Sequence, residues 1–204
     1  MITVEPNPRL IEYLEKADNS KEGFSFYSDG NLPEFFDNEE WHYLLSDLEM
    51  NIFLLKRLDN LGLLKQKNSI CDAGIGLGSA LFDLFLQSED LTDKSFTFTG
   101  IEKSDRYVDF LKINLLDFWM GKLSLIQSDI MDCDYSNYDI IYTYCPFKND
   151  QKLMDFYTKV VEEMKPESIL IEHRNYGLGM NRCLEEFYQL EKIDLDGMWV
   201  FRKK

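Results

Sequence analysis

Residues 70–78 read Ile-Cys-Asp-Ala-Gly-Ile-Gly-Leu-Gly, and no other stretch restricts the possible folds as much. An apolar run closes on an acid, Asp72. Three glycines follow on alternate positions, and a segment of helical pattern, Ser79–Gln87, begins directly after them. Glycines at Gly74, Gly76 and Gly78 allow a tight turn and let a ligand approach the backbone. The start of the following helix adds unpaired N–H groups and the positive end of a dipole. A strand, a glycine turn and a helix in this order are the repeating unit of an open α/β sheet, whose ligands lie at the carboxyl ends of the strands. The loop is not the dinucleotide pattern Gly-x-Gly-x-x-Gly, because Ser79 stands where its third glycine would fall. The Asp72 carboxylate would also repel a pyrophosphate, whereas it suits a ligand that carries an ammonium group. The plainer alternative is a glycine turn without a ligand.

Two further segments repeat the arrangement of a strand that ends in an acid. Phe96–Glu102 alternates aromatic and Thr residues as a strand does, and Glu102 lies 24 positions beyond Gly78. A carboxylate there can accept from both hydroxyls of a ribose. Asp105–Leu116 carries Val108, Leu111 and Leu115 at helical spacing, and Leu123–Asp129 is again a strand closed by an acid. Taken alone, Glu102 or Asp129 reads better as a solvated helix cap at a strand–helix junction. Three in succession favour a shared site.

In these motifs, from about Leu63 to the C-terminus, the chain resembles class I S-adenosylmethionine-dependent methyltransferases, whose first motif is a strand, an acid and Gly-x-Gly-x-Gly. The resemblance implies S-adenosylmethionine as cofactor. It implies a cofactor site at Asp72, Ala73, Gly74, Gly76 and Gly78, with Glu102 on the ribose and Asp129 and Ile130 on the adenine. It also implies a seven-stranded, mostly parallel, Rossmann-like sheet that ends in an antiparallel hairpin.

A fourth strand, Tyr138–Tyr144, leads into Cys145-Pro146-Phe147. Relatives that methylate amines on bases or amides carry Asn/Asp-Pro-Pro-Tyr/Phe or Asn-Pro-Phe here. In this chain Tyr144 or Cys145 replaces the amide or carboxylate, so base-amine methylation is not expected. Tyr142, Tyr144 and Phe147 are candidates to line a substrate pocket, and an aromatic face attracts a sulfonium by about 0.5–2 kcal/mol. The alternative for Tyr142 is a buried strand residue. His173, after the fifth strand Ser168–Glu172, has an unperturbed pKa suited to general base catalysis; it and Tyr144 are the catalytic candidates. Cys145 has no neighbouring base in sequence and is a poorer nucleophile candidate.

With 204 residues, 45% of them hydrophobic, the chain can bury a sizeable core. Its 37 acidic and 22 basic residues give a formal charge of −15, a poor surface for nucleic acid. A small-molecule or protein acceptor is therefore expected, and nucleic acid is not. Four cysteines without paired spacing and two histidines far apart, His42 and His173, give no metal site and no disulfide framework. The first residues show no signal-peptide core, and the longest uncharged run, Ala73–Phe82, is too short for a membrane span. A soluble, cytoplasmic protein is expected; nothing in the sequence addresses its oligomeric state.

Residues 1–66 read as an extension and 67–204 as the cofactor-binding domain. In the extension Leu10–Lys16 fits a short helix. The aromatic segment Gly23–Asp37 fits either a flap over the sheet or a lid contributing Tyr27 or Asp29. Glu39–Leu61 has apolar residues at steps of three and four and fits a long helix ended by Gly62. At the other end Gln189–Leu195 and Met198–Lys203 flank Asp196-Gly197, a hairpin signal. The function expected is methyl transfer from S-adenosylmethionine. The alternatives are a non-catalytic binder of that cofactor and, less in keeping with Asp72 and Ser79, a nicotinamide-dependent oxidoreductase.

Overall fold

The computed structural model describes residues 7–18, 53–144, 146–147, 150–173, 183–195 and 198–204. The strands are β1 (Lys67–Ala73), β2 (Ser95–Glu102), β3 (Leu123–Gln127), β4 (Ile140–Tyr144), β5 (Ile169–His173), β6 (Leu190–Leu195) and β7 (Met198–Lys203). They form a seven-stranded sheet in the order β3-β2-β1-β4-β5-β7-β6. The first five strands pair in parallel, while β7 enters antiparallel between β5 and β6. β1 lies inside the sheet, between β2 and β4, and is apolar on both sides: Ile70 belongs to one core, and Cys71 and Ala73 to the other.

The helices are α1 (Pro8–Asp18), α2 (Leu54–Asn60), α3 (Ser79–Glu89), α4 (Asp105–Phe110) and α5 (Asp150–Glu163). The first four contribute to the core on one face of the sheet, and α5 packs on the other. In α1, Leu10, Tyr13 and Ala17 recur at helical spacing and are all buried in the same core as Ile70, Phe82 and Trp119. Leu54, Leu55 and Leu58 do the same in α2.

Two helices expected from periodicity differ in the structure. A continuous helix over Glu39–Leu61 is excluded at Phe53, whose φ of 56° is left-handed. A right-handed helix cannot pass through that conformation, so α2 starts at Leu54, and residues 39–52 lie outside the described ones. At its far end Gly62, at φ 70°, stops α2 as expected, with Gly62 N–H donating to Asp59 O at 2.8 Å and Leu63 N–H to Leu58 O at 3.0 Å. The segment Asp105–Leu116 is likewise not one α-helix. After Phe110 it widens into a π-type turn, Leu111–Leu115, and then tightens into a 3₁₀ turn, Leu116–Trp119. Leu111, Leu115 and Trp119 recur strictly every fourth residue and are all fully buried. A 3.6-residue helix would rotate Leu115 past Leu111 by about 40°, and the wider turn between them offsets that rotation.

Candidate functional site

The strand order reverses between β1 and β4, and the parallel register places the ends of β1, β2 and β3 side by side. Asp72 is opposite Gly100, Ala73 opposite Ile101, and Glu102 opposite Gln127. Asp72, Glu102 and Asp129 therefore stand along one carboxyl edge of the sheet, where open α/β folds bind ligands.

The loop between β1 and α3 is built by its neighbours as much as by its glycines. Gly74, Gly76 and Gly78 have φ values of 90°, 53° and 76°. The residues between them point inward: Ile75 and Leu77 are buried. Ile75 lies over Gly100 of β2, where a Cβ would come within 2.2 Å of Ile75 Cδ1, so a side chain at 100 and this loop position exclude one another. All three glycine N–H groups are engaged within the protein. Gly74 N–H donates to Ile101 O at 3.0 Å, Gly76 N–H to Glu102 Oε2 at 2.9 Å, and Gly78 N–H to Ile75 O at 2.8 Å. What the loop offers a ligand is space rather than these donors: nothing lies within 4 Å of a Cβ built on Gly74.

Asp72 is the unusual group. It is 4% exposed, and among the described residues no N–H or O–H donates to its carboxylate. Burial, and then the nearby Glu102 charge, push its pKa up to about 8. Glu102 itself braces the site: its Oε1 accepts from Ser104 N–H at 2.9 Å while its Oε2 holds Gly76. It does not cap α4. That role belongs to Ser104, whose side chain accepts from Tyr107 N–H at 3.4 Å. Asp129 does act as a cap, accepting from Met131 N–H at 3.0 Å, and it also pairs with Lys103 at 3.3 Å. Ile130 is buried in the core beneath, and its carbonyl accepts from the Tyr135 hydroxyl at 2.9 Å.

The remaining candidates divide by position. Tyr144, at the end of β4, is half-buried, and in register it is opposite His173 of β5. Tyr142 is 1% exposed in the core on the α3 side, and Phe147 is 2% exposed in the opposite core, edge-on to Phe156 at 6.0 Å. Tyr27, Asp29, Cys145 and the Asp196-Gly197 turn lie outside the described residues, as does the side chain of His173. No group of three or more metal-ligating side chains occurs among the described residues. No described helix is long and apolar enough to cross a membrane.

Sequence reasoning missed Tyr13. Its hydroxyl donates to Leu77 O at 2.6 Å, joining α1 to the glycine loop across 64 residues. The only sequence signal was the helical spacing of Leu10, Tyr13 and Ala17, which marks a buried face but names no partner.

No family model matches the sequence, and no curated protein matches it. Solved structures do. A candidate class I S-adenosylmethionine-dependent methyltransferase from Listeria monocytogenes aligns over 76% of this chain and 59% of its own, with a TM-score of 0.56 and 15% identity. A candidate S-adenosylmethionine-dependent methyltransferase from Methanococcus maripaludis aligns over 75% and 84%, with a TM-score of 0.53 and 13% identity. An RNA methyltransferase from Salinibacter ruber, solved with S-adenosyl-L-homocysteine, aligns over 79% and 92%, with a TM-score of 0.52 and 15% identity. This chain thus spans less than two thirds of the Listeria protein. The sheet order, the antiparallel β5–β7–β6 end and these likenesses agree on one architecture: the chain has the Rossmann-like fold of class I S-adenosylmethionine-dependent methyltransferases.

Proposed function

We propose that the protein is an S-adenosylmethionine-dependent methyltransferase acting on a small-molecule or protein acceptor. The observation that carries this reading is the Asp72 carboxylate, buried beside the glycine loop with no hydrogen-bond donor among the described residues. A buried carboxylate in that state is costly, and a ligand ammonium would supply the missing counter-charge. The donor set also fits the rest of such a cofactor. Glu102, which accepts from Gly76 N–H and Ser104 N–H and so stands fixed at the end of β2, is assigned to the ribose hydroxyls. Asp129 and the Ile130 N–H are assigned to the adenine edge, and the open space at Gly74, beside Ala73 at the end of β1, to the amino-acid end.

The cofactor, when bound, supplies a methyl group on a sulfonium, which is already a good leaving group. The work left to the protein is to hold an acceptor in line and to exclude water. Tyr144 and His173, neighbours at the ends of β4 and β5, are assigned to the acceptor side. His173 serves as base only where the acceptor carries a proton at working pH. Tyr142 and Phe147 support this edge from within the cores. The enclosure of Phe147 favours one rival, a protein that binds the cofactor without transferring its methyl group, because no aromatic of the 144–147 segment other than Tyr144 is then left at the edge. The Asp72 carboxylate weighs against a nicotinamide cofactor, whose pyrophosphate it would repel. Calorimetry with S-adenosylhomocysteine tests the reading. Binding is expected, and no heat at about 1 mM ligand would overturn it. Labelled S-adenosylmethionine in a cell extract then separates transfer from binding alone.

A further inference from the structure

We infer that Tyr13, on the N-terminal helix α1, is a positioning residue that sets the glycine loop for its ligand by fixing the Leu77–Gly78 peptide. The inference rests on the loop being the cofactor seat. The Tyr13 hydroxyl donates to the carbonyl of this peptide, Leu77 O, at 2.6 Å, and the N–H of the same peptide, on Gly78, donates to Ile75 O at 2.8 Å. One peptide plane is thereby held from both ends. Its next carbonyl, Gly78 O, accepts the first helical bond of α3, from Phe82 N–H at 2.8 Å. The orientation of this peptide therefore sets how the first turn of α3 meets the loop.

The Tyr13 ring has little freedom of its own. It is fully buried, stacks on Phe82 at 4.1 Å and 15°, and meets Phe118 and Trp119 edge-on at 5.5 and 6.3 Å. The packing aims the hydroxyl, and the hydroxyl holds the loop. Gly78 completes the fit. At φ +76° it takes a conformation that L side chains avoid, and a Cβ there would lie 2.8 Å from Tyr13 Oη. The third glycine of the motif is therefore required where α1 comes closest to the loop, on the side facing the protein rather than the ligand. A Phe at position 13 would keep the described ring contacts and lose the bond to Leu77. A loop that spends less time in its binding-competent form binds more weakly in proportion to the lost population.

The test is Tyr13→Phe in the full chain, read by amide hydrogen exchange without ligand and by calorimetry with S-adenosylhomocysteine. The expected result is faster exchange confined to amides 76–80, unchanged protection in β1 and β4, and binding weakened roughly two- to tenfold. Unchanged exchange at 76–80, acceleration spread evenly over the whole fold, or an unchanged affinity with a loosened loop would each overturn the inference. Failure of the unmodified protein to bind would sink the methyltransferase reading instead, and the exchange pattern would still decide what Tyr13 does.

Discussion

Replacing Asp72 by Asn separates what the site needs from what the fold needs. Burial, and then the Glu102 charge, push the folded carboxyl up to about 8 from an ordinary 3.8. The sign follows from proton counting. Between these values the folded state holds a proton that the unfolded state has lost, so stability falls as pH rises from about 4 to about 8 and is level beyond. At about 1.4 kcal/mol per pH unit, the penalty at pH 7 reaches about 4 kcal/mol. Asp72 is 4% exposed, so solvent screening removes little of this. Asn has the same shape and no charge to desolvate, but its amide N–H groups need partners, a cost of about 1–3 kcal/mol. The penalty grows to about 5 kcal/mol at pH 8, so the net expectation is that Asp72→Asn is no more stable than the parent near pH 4 and more stable by about 2–4 kcal/mol at pH 8. Urea denaturation at both pH values measures the difference. The other titrating groups are common to the two proteins and largely cancel, apart from Glu102, which feels the Asp72 charge directly. A stability difference that does not change between pH 4 and pH 8 would refute the reasoning. The same substitution is expected to weaken S-adenosylhomocysteine binding, because the ligand ammonium loses its counter-charge.

Ligand binding should release close to one proton at pH 7, as the ammonium draws the Asp72 pKa below neutrality. Calorimetry in buffers of different ionisation enthalpy counts it, and no release would contradict the ammonium–Asp72 pairing. Glu102→Gln should lower the Asp72 pKa from about 8 by removing the nearby charge, observable by carboxyl-carbon NMR. Glu102→Ala should lose both the Gly76 and the Ser104 bonds, costing about 1–3 kcal/mol of stability as well as ligand affinity. Gly100→Ala should destabilise by about 1–3 kcal/mol: a Cβ meets Ile75 Cδ1 at 2.2 Å, and Ile75 Cβ and Cγ2 at 3.1 Å leave no simple rotamer escape. A thermal melt matching the parent would show that the loop can lift off β2.

The inner strands β1 and β4 were legible because each is a short apolar run, buried on both faces, that leads into a turn, whereas the edge strands β3 and β6 were marked by alternation and by the turn or acid that closes them. Helix limits were less legible. The four-residue recurrence of Leu111, Leu115 and Trp119 fits a helical pattern, and only the folded chain shows that it is met by a widened turn followed by a tightened one. Phe53 carries no sequence mark of its left-handed backbone. At the site, the positions of Asp72, Glu102 and Asp129 along one edge could be read from strand order. What their carboxylates bond could not, because Gly76 N–H and Met131 N–H reach them only once the turns have formed.

The alternating glycines show why spacing alone underdetermines such a site. Read from sequence, all three served the same two purposes, a tight turn and clearance for a ligand. In the structure they separate into three requirements. Gly74 faces open space and retains the ligand-clearance role. Gly76 turns its N–H to Glu102, tying the loop to the acid assigned to the ribose. Gly78 makes room for Tyr13, a residue 65 positions earlier in the chain. Substitutions should therefore differ in kind. A side chain at Gly74, strained by its φ of 90°, disturbs mainly the ligand, whereas one at Gly78 disturbs the contact between α1 and the loop. The second effect has a distinguishing mark. Gly78→Ala should cost less stability in a Tyr13→Phe background than in the parent, since the backbone strain is common to both and the 2.8 Å contact is present only with the hydroxyl. Equal costs in the two backgrounds, measured by urea denaturation, would show that Gly78 answers to its backbone conformation alone.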